Sequence, residues 1–239
     1  MIHSWSHSRL VDFEKCKHLA FLKYEKRIPE PERPLPPGKT EHANDRGTRV
    51  HDALENYVRG KSDVFPLEAK SFSHEIESMR KLFAIGTVSL EGEWGFDRAW
   101  DVIEWKRAWL RMKLDALVFL SPQEAVAIDY KTGKVFGNEI KHGEQVMLYQ
   151  LAAFLRFPEL EIVHTELWYL DQDELTHKRF TRDQGLRFRQ GWNMRGVALT
   201  TCTEWPANAN KWSCQYCPYG SPEHGFANGT GDCLAGRKR

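Results

Sequence analysis

Lys113-Leu114-Asp115-Ala116-Leu117-Val118-Phe119-Leu120, then Ser121-Pro122-Gln123-Glu124, then Ala125-Val126-Ala127-Ile128-Asp129-Tyr130-Lys131-Thr132-Gly133 is the stretch on which the fold turns. Two apolar runs flank a four-residue turn segment that contains proline, so the pattern predicts a β-hairpin. With the turn centred near Pro122, Asp115 falls opposite Asp129. Side chains alternate along a strand, so Asp129 and Lys131 share one face while Ile128 and Tyr130 take the other. The hairpin thereby gathers two carboxylates and one ammonium. Adjacent acids repel unless a cation lies between them, and oxygen ligands of this kind suit magnesium or manganese. Lys131 would then orient or deprotonate a water and stabilise charge on a phosphate. The competing explanation is a surface hairpin with a cross-strand Asp–Lys ion pair. Against it, Asp115 interrupts an apolar run and Asp129 ends another, and a carboxylate in a buried strand needs a partner to offset desolvation.

Upstream of the hairpin the pattern is helical. Leu10, Phe13, Leu19 and Leu22 recur at helical spacing over residues 9–23, with Ser6 or Ser8 as cap. Residues 29–38 carry five prolines and form an extended connector. A second helix, capped by Asn44 or Asp45, buries Val50, Ala53, Leu54, Tyr57 and Val58, and a third spans residues 73–85. From 92 to 129 the period changes to two, which predicts consecutive antiparallel strands. Helical spacing returns over 144–157 and stops at Pro158. Residues 161–171 form a further strand and 183–197 a helix. The remainder, rich in Cys, Gly and Pro, is dominated by loops. The fold class is α/β, with a mixed central sheet flanked by helices and a Cys-rich C-terminal module. The expected division is a core over residues 1–200 and the Cys-rich module over 201–239.

The 239 residues suffice for a full hydrophobic core. The net charge of +1 is silent about nucleic acid, although the 34 Lys and Arg could concentrate on one face. No run approaches the roughly 20 apolar residues of a membrane span. Met1-Ile2-His3-Ser4-Trp5 lacks the layout of a secretory signal, so an intracellular (cytoplasmic) protein with no membrane partner is expected. The five cysteines, Cys16, Cys202, Cys214, Cys217 and Cys233, are an odd number. That count and the intracellular expectation argue against a disulfide framework, and metal ligation is the better starting point for Cys214-Gln215-Tyr216-Cys217.

At the hairpin the sequence resembles the PD-(D/E)xK nuclease superfamily, in particular its RecB-like branch. Asp115 matches the first acid, and Asp129-Tyr130-Lys131-Thr132-Gly133 matches the acid-x-lysine motif with its trailing Thr-Gly. Gly47-Thr48-Arg49-Val50-His51 matches the Gly-x-x-x-His element, whose histidine is a further metal ligand. Gln145-Val146-Met147-Leu148-Tyr149 matches the Gln-x-x-x-Tyr element. Residues 6–16 are similar to the branch's N-terminal helix entry. Each element alone is weak; five in order are strong. The resemblance implies a restriction-endonuclease-like core and metal-dependent hydrolysis of DNA phosphodiester bonds, as an exonuclease in recombination, repair or phage DNA processing. Asp115, Asp129, Lys131, Gln145 and Tyr149 would be catalytic. His51, Asp115, Asp129 and the Tyr130 carbonyl would hold Mg²⁺ or Mn²⁺. The implied partners are DNA, single-stranded or with exposed ends, and a helicase or recombination protein on another chain, since no Gly-x-x-x-x-Gly-Lys-Ser/Thr stretch occurs. Arg46, Arg49 and Lys134 are candidates to contact the DNA backbone, and nothing in the sequence selects among them. The alternative is a nuclease-like module that grips DNA or a helicase without cutting.

In AddB nuclease domains and the CRISPR spacer-acquisition nucleases of this branch, four cysteines hold a [4Fe–4S] cluster. Here Cys16, Cys214, Cys217 and Cys233 match them, led in by Trp205-Pro206-Ala207-Asn208. Lys17 stands where proline is usual, and the gap from Cys217 to Cys233 is longer than the family's. Zinc held by Cys214, Cys217, Cys233 and His224 therefore competes, with Cys202 as a substitute ligand or a free thiol.

Overall fold

The computed structural model describes residues 1–32, 34–133, 137, 139–214, 217–220 and 229–233. Its chain divides into two compact units, one formed by Pro37–Trp192 and the other by Met1–Pro36 with Asn193–Arg239.

The first of these is a mixed α/β unit around a six-stranded sheet ordered β2-β1-β3-β4-β5-β6. The strands are β1 (Val88–Phe96), β2 (Val102–Ile103), β3 (Leu110–Ser121), β4 (Glu124–Lys131), β5 (Ile162–Tyr169) and β6 (Glu174–Thr181). The β3–β4 hairpin forms as predicted, with Pro122 and Gln123 left as a two-residue turn. Its register pairs Ala116 with Ile128 and Leu117 with Ala127, which sets Asp115 opposite Asp129. A shift between Phe119 and Ser121 absorbs one residue near the turn. All neighbouring strands run antiparallel except β4 and β5, which are parallel. A parallel pair needs a crossover, and helix α5, Glu139–Arg156, supplies it.

Two layers of helix cover the sheet. Helices α3 (Ala43–Val58) and α4 (Ser73–Ala84) bury Val50, Leu54, Tyr57, Ile76 and Met79 against Leu90, Ala116, Val118, Ile128 and Tyr130. Phe72 stacks on Trp168 in the same layer, with ring centroids 4.9 Å apart. Each fully buried aliphatic side chain contributes about 1.5–3 kcal/mol. Helix α5 contacts β4 and β5 and buries Leu148, Leu151, Ala152 and Phe154. The cap position of α3 is His42, which makes no side-chain cap bond, rather than Asn44 or Asp45.

Two elements depart from the sequence expectation. Strand β6 was not anticipated, because residues 174–179 are exposed on both faces and carry no apolar alternation. Its ladder with β5, from Ile162↔Thr181 to Tyr169↔Glu174, holds it instead. The helix expected over 183–197 is two: α6 (Arg182–Leu186), opened by a Thr181–Gln184 capping box, and α7 (Arg189–Thr200).

The second unit begins with α1 (His7–Lys15), capped by the Ser6 side chain, and α2 (Lys17–Ala20), which runs into a π-helical turn at Phe21–Glu25. The sequence predicts one helix here; the break lies at Cys16, whose backbone is extended (φ −162°, ψ 113°). Helical periodicity continues across such a break and cannot reveal it. Arg195 clamps Glu14 through two 2.7 Å contacts, and the indole of Trp205 sits against Phe13 and Phe21. The short helix α8, Lys211–Cys214, follows. Among the described residues no helix is long and apolar enough to cross a membrane.

Candidate active site

The site lies where the middle of β3 and the C-terminal end of β4 meet α3 and α5. Asp115, Asp129, Tyr130, Lys131, Gln145 and His51 all line one cavity, together with Tyr149. All seven residues singled out from sequence for this centre are thus brought together, in two hydrogen-bonded sets.

The first set is built on Asp115. Its Oδ2 accepts the Tyr130 backbone N–H at 2.7 Å, and its Oδ1 accepts from His51 Nδ1 at 3.1 Å. The other ring nitrogen of His51, Nε2, donates to the Tyr130 carbonyl at 3.0 Å. Both nitrogens face acceptors, so the arrangement calls for an imidazolium. Burial alone would lower the His51 pKa, but the hydrogen bond and charge of Asp115, with the charge of Asp129, outweigh it and raise it to about 9. His51 thus occupies, with its own positive charge, the oxygens that a metal ion would take.

The second set surrounds Asp129. Lys131 Nζ forms an ion pair with Asp129 Oδ2 and donates to Gln145 Oε1 at 2.9 Å. Gln145 Nε2 donates to Asp129 Oδ1 at 3.2 Å and also to the Tyr149 hydroxyl, which itself donates to Asp129 Oδ1 at 3.1 Å. Gln145 and Tyr149 reach the same carboxylate because they stand four apart on α5. Burial pushes the Asp129 carboxyl above its ordinary range, Asp115 adds to the rise, and Lys131 and His51 oppose it. Burial, then the charges of Asp129 and Asp115, likewise drives the Tyr149 phenol well upward.

Glu91 was missed. It lies on β1, opposite Asp115, at φ +48°. His51, Glu91 and Asp115 each offer a ligand atom, all within 4.8 Å of one another. Asp129 is not in that trio. Burial raises the Glu91 carboxyl, and the charges of Asp115 and Glu55 reinforce the shift. A non-glycine residue in the left-handed region costs energy and concentrates at functional sites. The available signal was an acid between apolar Leu90 and Gly92, but the predicted strand began one residue too late to include it.

These residues fit a divalent cation. Asp129 Oδ2 is buried, and among the described residues it has the Lys131 ion pair but no hydrogen bond. Carboxylates, an imidazole and a backbone carbonyl form a hard, oxygen-rich donor set. The arginines proposed for the DNA backbone are already engaged. Arg46 binds Asp171 through two contacts of 2.7 and 2.8 Å and donates to the Thr132 carbonyl, while Arg49 pairs with Glu41 and Glu68. Lys134 lies outside the described residues.

The cysteines form a separate group within the unit of Met1–Pro36 and Asn193–Arg239. Cys217 and Cys233 are buried in an apolar cluster with Leu19, Leu22 and Tyr219, with Cys16 packed against it. Burial pushes the Cys217 thiol up, a Tyr219 backbone N–H acts the other way, and the sulfurs of Cys233, Cys16 and Cys214 add to the rise. Cys16 Sγ also accepts the Asn208 N–H at 3.3 Å. Backbone N–H groups are thus aimed at Cys16 and Cys217, but among the described residues no three cysteines bring their sulfurs within 4.8 Å of one another. Cys202 donates to the Glu204 carbonyl instead, and His224 lies outside the described residues.

The family profile described as the PD-(D/E)XK nuclease superfamily matches residues 4–221. No curated protein matches the chain. Among solved structures, a provisionally assigned exonuclease from Eubacterium rectale is similar over 92% of this chain and 88% of its own, with 13% identity and a TM-score of 0.52. The crystal structure of SSO0001 is similar over 91% of this chain and 84% of its own, with 12% identity and a TM-score of 0.42.

Proposed function

The chain belongs to the PD-(D/E)XK nuclease superfamily, and we propose that it is a divalent-metal-dependent exonuclease of the RecB-like kind, cutting DNA at single-stranded or exposed ends during recombination, repair or phage DNA processing. One observation carries this reading: Lys131, Asp129, Gln145 and Tyr149 form a closed hydrogen-bonded set in the same cavity as His51, Glu91 and Asp115.

In this reading His51, Asp115, Asp129 and the Tyr130 carbonyl hold the ion, with Glu91 beside them. When bound, the ion supplies Lewis-acid stabilisation of charge on the scissile phosphate. His51 must release a proton to become a ligand, because both of its nitrogens now donate. Asp129 and Gln145 fix the Lys131 ammonium from two sides, so it meets the developing phosphate charge without reorganising. Tyr149 and Gln145 hold the Asp129 carboxylate in one orientation. The Asp115–Tyr130 bond fixes the distance between β3 and β4 at the centre.

The match of Cys16, Cys214, Cys217 and Cys233 to the branch's four cysteines is the ground for a [4Fe–4S] cluster, with structural zinc as the competing occupant. In this reading residues 201–239 are a Cys-rich metal-binding module packing on the N-terminal helix, and residues 1–200 are the nuclease core with its N-terminal helical part. The deciding experiment is cleavage of end-labelled single- and double-stranded DNA with Mg²⁺ or Mn²⁺, comparing wild type with Lys131→Ala. Metal-dependent cutting that disappears in the variant supports the reading. A folded wild type that binds DNA but never cuts leaves a binding module.

A further inference from the structure

The basic groups nearest the centre are tied up in pairs, but a second set lies along β3. Side chains alternate, so Arg111 and Lys113 share the sheet face of Asp115. Lys113 lines the cavity of the candidate site, is more than half exposed and pairs across the strands with the exposed Glu93 at 3.5 Å. Arg111 lies four residues from Asp115, about 13 Å along the strand. Opposite it on β1 is Gly95, where a Cβ would lie 2.7 Å from Ala108 Cβ and from the Ile103 carbonyl. The 3₁₀ turn Trp105–Arg107 is therefore laid across this face, which only glycine permits. Arg111 Nη2 donates to the Lys106 carbonyl at 2.9 Å, and its guanidinium lies 5.6 Å from the Trp105 ring centroid.

Trp105 is half-buried, and Lys106 and Arg107 are exposed. Among the described residues, neither Lys106 nor Arg107 has a carboxylate within ion-pair distance. From Glu104 to Lys113 the sequence Glu-Trp-Lys-Arg-Ala-Trp-Leu-Arg-Met-Lys holds four basic residues and one acid, in a protein whose net charge is only +1. This stretch is thus locally basic although the whole chain is nearly neutral, with Glu93 standing opposite Lys113.

We propose that this approach is the binding track for a single DNA strand, with Lys106, Arg107, Arg111 and Lys113 meeting its phosphates and Trp105 stacking a base. The inference rests on the nuclease reading and adds where the strand lies. Lys106 and Arg107, with no carboxylate within ion-pair distance among the described residues, beside the Trp105 indole match the pairing of phosphate contacts and aromatic platforms used for single strands. A span of about 13 Å covers about four stacked nucleotides at 3.4 Å each. A strand of that length links the turn to the centre.

Binding of fluorescent single strands of about 4 and about 20 nucleotides is measured by anisotropy in a Lys131→Ala background with Mg²⁺. Added substitutions are Lys106→Gln with Arg107→Gln, Trp105→Ala, and Trp105→Phe as the conservative control. Losing two phosphate contacts should lower the slope of log affinity against log salt by about 1.4. Trp105→Ala should weaken binding about 5- to 100-fold, and Trp105→Phe should restore most of it. Long strands should lose more than short ones. Unchanged affinity and slope in these variants overturn the track, even if wild type cuts and Lys131→Ala does not. Lost binding in the variants, with a wild type that never cuts, upholds the track and removes the nuclease reading. Duplex bound as tightly as single strand, with no dependence on Trp105, overturns the single-strand assignment.

Discussion

Asp115 reaches across from β3 to accept the backbone N–H of Tyr130 on β4 at 2.7 Å. A carboxylate of the candidate centre is thus also a structural pin, and the two roles separate by substitution. Asp115→Ala leaves a buried N–H without a partner and should cost about 1–3 kcal/mol of stability in urea unfolding. Asp115→Asn keeps an oxygen acceptor and should cost less than about 1 kcal/mol, while cutting falls at least about a hundredfold in both. Equal stability in the two variants would sink the pin.

His51 makes stability depend on pH in a defined direction. Its folded pKa, about 9, lies above the ordinary imidazole value. The stabilisation it gives is therefore fully present below about pH 6.5 and lost as pH rises through 9. In chelator, wild-type stability should decline across that window, and His51→Ala should flatten the decline. Parallel curves for the two proteins would show that the histidine is not charged in the fold.

Asp129 is expected to trade stability for function. Its carboxyl is raised by burial, so at neutral pH its ionised form costs folding energy. Asp129→Asn should raise the melting temperature in chelator by about 2–4 °C, the equivalent of about 1 kcal/mol in a protein of this size. Cutting should be lost, and added magnesium should no longer stabilise. A lower melting temperature would mean that the Lys131 pairing outweighs the burial.

Gln145 acts through its neighbours. Gln145→Ala removes one partner of Lys131 and one of Asp129. The expected loss in cutting rate is about 10- to 100-fold, with DNA affinity retained within a few-fold. Gln145→Glu places an acid beside Asp129 and should be worse than alanine; a rate above that of alanine would show that the lysine, not Asp129, governs the effect.

The cysteine group is tested by composition. Protein purified without oxygen should carry iron and acid-labile sulfide in equal amounts, and Cys16→Ser or Cys217→Ser should lose both. Zinc without sulfide would assign the competing occupant. Cys202→Ser should change neither, since its sulfur bonds to the Glu204 carbonyl.

Much of the core was legible because its signals are local. The hairpin register follows from two apolar runs and a turn, and it sets Asp115 against Asp129. Gln145 and Tyr149 follow from a spacing of four. Elements held by neighbours rather than by their own pattern were not legible. Strand β6 is exposed on both faces and exists through its ladder to β5. The break at Cys16 interrupts the backbone without interrupting the periodicity. Glu91 depends on a positive φ at a non-glycine residue, which no composition rule signals. Arg46 and Arg49 looked available because a sequence does not show which cations have already found carboxylates.

The unit that holds the cysteines is assembled from segments on either side of the other unit, Met1–Pro36 and Asn193–Arg239. A ribosome makes Cys16 first, then about 160 residues of core, and only afterwards Cys214, Cys217 and Cys233. At roughly 5–20 residues per second that interval lasts about 10–40 s. Within it the hairpin and its acids are completed while the thiol group still waits on residues not yet made. The two units thus mature on different clocks, and an interrupted chain would carry the residues of the candidate active site without Cys214, Cys217 and Cys233.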